Sequence, residues 1–225
     1  LEDPVEYRME GVNQSQVDVS HGYTFSKGLR SILRQDPDIA MVGEIRDLET
    51  AEIAIQAALT GHLMLSTLHT NSAAAALPRF FSMGAKPFLL APALNCVIGQ
   101  RLVRRICSKC KKETSLTEEE MKRVKEIIAK MPEKIKEETM ARKLVFYEGM
   151  GCEVCHSIGY KGQIGVYEIL VLTEEMEGTL LSGKLSEHEI EKIAIKDGMV
   201  TMVQDGIIKA LDGITSVGEV FRVTE

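Results

Sequence analysis

No apolar run in this chain is long enough to cross a bilayer. The longest, Phe88 to Gly99, is about a dozen residues and is broken by Pro92 and Asn95, whereas a span needs about 20. Positive charge is not in excess either. The 27 Lys and Arg stand against 33 Asp and Glu, a net charge of −6, so the overall cationic footprint of a nucleic-acid binder is missing. The opening LEDPVEYRMEG is acidic and polar, with no cationic stretch leading into an apolar one, and no signal peptide is visible. Nor is there a G-x-x-x-x-G-K-[ST] pattern. Gly183-Lys184 is followed by Leu185, so the loop that cradles phosphates in many NTP hydrolases is not among these residues. Internal repeats and low-complexity tracts are absent as well. What remains is an ordinary globular composition, 44% hydrophobic and 27% charged with a mean hydropathy of −0.02. Its 225 residues suffice for one sizeable core and a smaller satellite. The first residue is Leu1 and not methionine, so the chain is expected to be a cut from something longer.

Cysteine is scarce but patterned. Four of the five cysteines form two C-x-x-C knuckles, Cys107–Cys110 and Cys152–Cys155, with 41 residues between them. Without a secretion signal, paired knuckles read as a metal site before disulfides. Four thiolates around Zn²⁺ close a tetrahedral shell and leave no open position for catalysis. Arg104, Arg105, Lys109, Lys111 and Lys112 surround the first knuckle and would offset the charge of such a centre. The spacing exceeds that of a short zinc ribbon, so an insert is expected. Cys96, alone on an apolar stretch, is expected to be a buried small hydrophobe.

The hydrophobic periodicity divides the chain. Phe25, Leu29, Ile32 and Leu33 have helical spacing over Phe25 to Arg34, ended by Asp36-Pro37-Asp38. Ile39 to Val42 is a short apolar run, expected as a buried strand that stops at Gly43-Glu44. Leu48 to Thr60 is a second helix, started at Asp47 or Thr50 and stopped by Gly61. His62 to Leu68 is the next strand, and Asn71 or Ser72 opens an alanine-rich helix. Strand, helix, strand, helix at these lengths is an α/β unit with parallel strands. Beyond Gln100 the chain becomes highly charged. The insert carries Met121, Val124, Ile127 and Ile128 on one face and is expected to pack on the metal module. Ile164 to Leu172 is β-like, and three or four short helices follow, punctuated by Gly183, Gly198 and Gly213.

Four constellations carry chemistry, each with a plainer alternative. Glu44, followed by Arg46 and Asp47, stands where an apolar strand ends, the place where open α/β sheets bind ligands. It is either a polar residue at a strand exit or a carboxylate for phosphoryl transfer. His62 and His69 bracket the second strand, as phosphate donors or as solvated turn histidines. Glu2, Asp3 and Glu6 either flank the strand end near Glu44 or form a charged loop. Arg30 and Arg34 share a helix face, to grip phosphates or simply to meet solvent.

In order, LEDPVEY, LRSILRQDPDIAMVGEIRD, ETAEIAIQAALTGHLMLSTLHTNSA, QRLVRRICSKCK and GYKGQIGVYEIL resemble the secretion ATPase superfamily of type II secretion and type IV pilus assembly. These stretches cover most of the chain. The resemblance implies the C-terminal part of a RecA-like P-loop ATPase domain over 1–105, an inserted zinc module over 106–161 and a small, mainly helical subdomain over 162–225. By the same resemblance LEDPVEY is an Asp box, with Glu6 the water-activating base and Glu2 and Asp3 close by. MVGEIRD is an atypical Walker B, in which Gly43 replaces the usual aspartate and Glu44 is the functional acid. TGHLMLSTLHT is the His box of His62 and His69, and Arg30 and Arg34 match arginines that face nucleotide phosphates. Cys107, Cys110, Cys152 and Cys155 match the zinc module of the extension and secretion branch, which retraction motors lack. Gln163 departs from the family's usual arginine. The implied parent is a cytoplasmic hexamer at the inner-membrane face, using Mg²⁺ and ATP and engaging a membrane platform protein, with no specific nucleic acid. The alternative is a zinc-ribbon interaction or nucleic-acid module built on RLVRRICSKCKK.

Overall fold

The computed structural model describes residues 1–181 and 186–224; Gly183, expected to separate two helices, lies outside them. In chain order the elements are α1 (Phe25–Leu33), β1 (Ile39–Val42), α2 (Leu48–Leu59), β2 (Leu63–Ser66), α3 (Ala73–Ser82), α4 (Pro87–Ala93), β3 (Cys96–Ile106), β4 (Lys111–Thr114), α5 (Glu118–Ala129), α6 (Glu133–Met140), β5 (Phe146–Gly149), β6 (Tyr160–Val171), α7 (Glu174–Leu181), α8 (Glu187–Lys196), α9 (Met202–Leu211) and α10 (Val217–Thr224). The chain divides into two compact units, Leu1–Val97 with Leu172–Ile190, and Ile98–Val171 with Glu191–Glu225.

The first unit is built on a β-α-β motif. β1 and β2 run parallel, with Ile39 opposite Leu63 and Val42 opposite Ser66, and α2 makes the crossover that parallel pairing requires. Ala40 and Val42 are buried while Ile39 and Met41 are exposed, the alternation of a strand with one covered face. Phe25 and Leu29 of α1 and Ala51, Ala54 and Ile55 of α2 are buried in the same unit. The helix starts are set by side-chain caps. Thr24 accepts from the Lys27 amide, Asp47 from Thr50 at 2.8 Å, and Ser72 from Ala75 at 3.0 Å. Thus α2 begins at Asp47, not Thr50, and Ser72 opens the alanine-rich helix. Arg34 is the terminal cap of α1.

In the second unit β3 pairs with β6, and β4 pairs antiparallel with β5, Lys111 opposite Gly149 and Thr114 opposite Phe146. The charged insert forms α5 and α6. Its apolar face was expected on the metal module; instead Val124 and Ile128 bury in one cluster with Phe146, Ile207, Ala210, Leu211, Val217 and Val220, so α9 and α10 supply most of its cover. Met121 and Ile127 pack at the edge of that core. Gly198 and Gly213 follow α8 and α9 with positive φ. Cys96 departs from expectation. It is exposed, because it opens β3 on the same outward parity as Ile98, Gln100 and Leu102.

Candidate functional site

β1 ends at Val42 and β2 at Ser66, so both carboxyl ends open on one side of the first unit. The loops that leave them are stitched together. Ile45 N–H donates to the Thr67 carbonyl at 3.0 Å, and the Thr67 hydroxyl donates to the Gly43 carbonyl at 2.5 Å. The chain start lies alongside: Gly43 N–H donates to the Leu1 carbonyl at 2.7 Å. A Cβ on Gly43 would stand 3.1 Å from that carbonyl oxygen and 3.4 Å from Glu2 Cα, tighter than ordinary contact. Glycine at this position therefore lets the acidic opening segment approach the strand end.

Glu44 sits at the centre of this mouth, with its side chain 13% exposed. Arg46 donates to Oε1, and His69 Nε2 lies 3.1 Å from Oε2. The hydrogen bond from Arg46 is the largest cause holding the Glu44 carboxyl below its usual range. Burial opposes it, and the Arg46 charge and His69 add to it. Arg46 also reaches Asp3, Nη1 to Oδ2 at 3.7 Å. Asp3, Arg46, Glu44 and His69 thus form a chain of contacts, with Arg46 between Asp3 and Glu44 and with Glu44 between Arg46 and His69.

The other candidates lie elsewhere. Glu2 accepts from the Gln14 amide at 2.8 Å. Glu6 is exposed in a depression lined by Val5, Arg8, Met9, Val12, Gln14 and Gln16. Arg30 forms an exposed ion pair with Glu49 at 2.9 Å, and Arg34 is exposed beyond it. His62 does not join His69. It precedes β2, with Nδ1 3.1 Å from the Ala57 carbonyl and 3.3 Å from Thr60 Oγ1, and the four residues of β2 set the two histidines about 13 Å or more apart. Nothing in the sequence marked Arg46 as a bridge, because Asp3, its second partner, lies at the start of the chain.

In the second unit the knuckles converge. The sulfurs of Cys107, Cys110, Cys152 and Cys155 all lie within 4.8 Å of one another. The pairs Cys107–Cys152 and Cys110–Cys155 are 3.8 Å apart, and Cys152–Cys155 are 3.7 Å apart. A tetrahedron with metal–sulfur bonds of about 2.3 Å has edges of about 3.8 Å, so the cluster fits one metal ion. The loops carrying it touch backbone to backbone. A Cβ on Gly149 would fall 1.8 Å from the Gly159 carbonyl oxygen, which leaves no room for any side chain. Burial pushes the Cys155 thiol up, but N–H donors from Cys152 and Gly159 and the neighbouring thiols outweigh it and hold it at about 6. Cys110 is pushed up to about 12, by burial first and then by its sulfur neighbours. A cation is what would let all four ionise together.

The basic cluster is only partly available to such a centre. Arg104 donates to buried Glu219 at 2.8 Å and lies 4.3 Å from the Tyr160 ring centroid, while Lys111 sits over Tyr147 at 4.2 Å. These interactions commit both residues to folding contacts. Glu219, which no sequence pattern singled out, also accepts from Arg222.

Comparison with known proteins gives this geometry a context. The family model for type II/IV secretion system proteins matches residues 1–222. The chain is 49% identical over its whole length to the type IV pilus assembly ATPase PilB of Thermus thermophilus, covering 24% of that protein. It is 46% identical to the type II secretion system protein E of Aeromonas hydrophila, covering 42% of it. It therefore spans less than half the length of these curated relatives. The fold resembles the ADP-bound pilus retraction motor PilT, with a TM-score of 0.65 at 25% identity over 98% of this chain and 50% of that one. It also resembles the Legionella pneumophila ATPase DotB, at 0.61 and 21% over 98% and 49%. The mixed α/β fold is shared with these ATPases, and the chain belongs to the type II/IV secretion system protein family.

Proposed function

We propose that this chain is the C-terminal motor region of a hexameric ATPase that couples Mg-ATP hydrolysis to type IV pilus assembly or type II protein secretion. The observation that carries the reading is the Glu44–His69–Arg46 constellation at the carboxyl ends of two parallel strands, in a chain whose relatives are pilus and secretion ATPases. Glu44 is the catalytic acid of the strand end, and Glu6 is the residue that takes the proton of the attacking water. Asp3 and His69 contact nucleotide phosphates at the mouth, with Glu2, Arg30 and Arg34 as further contacts. For His62, at the amino end of β2, position gives no such support. Mg²⁺ is a cation of oxygen ligands, and the carboxylates of Glu44 and Asp3, both within reach of Arg46 at the strand end, are donors of that kind. Mg²⁺, when bound, supplies positive charge against the phosphate oxygens. The four cysteines hold a structural Zn²⁺, which supports the assembly and export branch over retraction.

Without a G-x-x-x-x-G-K-[ST] loop, these residues alone are expected to turn over no ATP, since nothing holds the β- and γ-phosphates in line. The motor acts at the cytoplasmic face of the inner membrane, docked on a platform protein; among the described residues no helix is long and apolar enough to cross the bilayer. The test is native mass spectrometry and phosphate release on the full-length protein. Six copies and Mg²⁺-dependent turnover are expected. A protein that stays monomeric with ATP and releases no phosphate would overturn the proposal.

A further inference from the structure

The roots of the two cysteine loops are fastened to the C-terminal end of the chain. Arg104 and Ile106 close β3 just before Cys107, and Tyr160 opens β6 just after the second knuckle. All three bond to the turn and first residues of α10. Ile106 N–H donates to the Ile214 carbonyl at 2.8 Å, and the Thr215 hydroxyl donates to the Arg104 carbonyl at 2.8 Å. Glu219, in the first turn of α10, accepts from the Arg104 amide at 3.0 Å and from its guanidinium at 2.8 Å. The Tyr160 hydroxyl lies 2.7 Å from Ser216 Oγ, which also accepts from the Glu219 amide at 3.3 Å. Thr215, Ser216 and Glu219 are buried, where a polar group that loses its partner is costly. The same roots meet the sulfurs on their other side. Gly159 N–H donates to Cys155 Sγ at 3.3 Å, and the Gly159 carbonyl accepts from Cys107 N–H at 2.9 Å. On each strand, then, neighbouring residues face the cysteine cluster and the α10 turn: Cys107 beside Ile106, Gly159 beside Tyr160.

We propose that this clamp and the metal centre form one cooperative unit, so that the ion bound by the four cysteines also governs the docking of α10. The metal holds the ends of β3 and β6 together; when it leaves, those ends part, the clamp opens and the C-terminal helix is released. The inference rests on the reading of the four cysteines as zinc ligands. Coupling of this kind is reciprocal, so the clamp must in turn tighten metal binding by the factor with which the metal tightens the clamp.

The test uses the full-length protein with its zinc and after removal of zinc by a chelator. Amide exchange reads the state of α10, and competition with a chromogenic chelator reads zinc affinity. In wild type, zinc removal is expected to speed exchange over 214–222 about tenfold, an ordinary size for coupling between sites, while β1 and β2 keep their protection. Glu219→Gln is expected to weaken zinc binding about tenfold. Tyr160→Phe, which deletes one hydroxyl and keeps the ring, weakens it by a smaller factor in the same direction. In Glu219→Gln, zinc removal then changes exchange over 214–222 less than it does in wild type. Unchanged exchange over 214–222 in zinc-free wild type, with the cysteine loops opened, would overturn the proposal. So would wild-type zinc affinity in both variants, or a rise in exchange equal over the whole second unit, which is general melting and not release of a clamp. Wild-type protein that binds no zinc would instead remove the reading on which the inference stands.

Discussion

Glu219 shows how a single residue can be invisible in sequence and decisive in structure. Its side chain is 1% exposed. It accepts from the Arg104 amide at 3.0 Å, from the Arg104 guanidinium at 2.8 Å and from Arg222 Nε at 2.9 Å. Burial alone would raise its carboxyl, but hydrogen bonds from Arg222 and then Arg104 prevail and lower it from 4.5 to about 2. A carboxyl lowered on folding stabilises the native state fully above its unfolded value and loses that contribution as pH falls toward the folded one. The window here is pH 4.5 down to about 2. Both arginines are partly exposed, so Glu219→Gln is expected to cost about 2 kcal/mol at pH 7, the scale of lost charge-assisted hydrogen bonds. Urea melts at pH 7 and pH 3 check this. The gap between wild type and variant should narrow at the lower pH, and an equal gap at both would rule out the ion pair as its source. No sequence pattern marked Glu219, since its partner Arg104 stands 115 residues away.

Among the elements, those defined by local signals were legible. The strand Ile39–Val42 stands where its apolar run placed it, and α2 starts at the capping Asp47. β2 is shorter than the His62–Leu68 stretch suggested, with only Leu63–Ser66 paired. His62 is turned back onto the end of α2, and Thr67 leaves the ladder to bond the Gly43 carbonyl. What an amphipathic face packs against was not legible, because that depends on chain far away. The face of Val124 and Ile128 was read correctly, but its main cover, α9 and α10, comes from the far end of the sequence. The knuckles lie between these cases. Their C-x-x-C spacing was plain, yet the contact of Gly149 with Gly159 that lets the two loops meet shows only in three dimensions. The metal is expected to hold these loops together, because metal binding to a site formed only on folding stabilises the fold. Cys152→Ser should therefore abolish stoichiometric zinc in the purified protein and lower the melting temperature of the second unit by roughly 10 °C. Amide exchange would rise around Cys107–Lys112 and Gly149–Lys161, while β1 and β2 stay protected. Freshly purified wild-type protein with no metal and four freely titratable thiols at these positions would contradict the assignment.

At the scale of the whole molecule, a net charge of −6 and internally committed cations at Arg104 and Lys111 speak against a nucleic-acid module. The strand-end site and the membership of the chain in the type II/IV secretion system protein family are the grounds of the motor function proposed above. The candidate site was legible in part. Glu44, Asp3 and His69 were singled out by their place in the sequence and are linked in the structure, Glu44 directly to His69 and through Arg46 to Asp3. Glu6, Arg30 and Arg34 lie on exposed surface, Arg30 in an ion pair with Glu49. His62 was grouped with His69 because a strand joins them, and for the same reason they lie at opposite ends. The central claim, that Glu44 performs hydrolysis and does not merely support the fold, is tested most directly by Glu44→Gln in the full-length protein, with nucleotide affinity and phosphate release measured on one preparation. The account predicts ATP affinity within about threefold of wild type and turnover reduced at least about 100-fold, the signature of an interaction needed only in the transition state. Loss of affinity and turnover together, or turnover close to wild type, would contradict it.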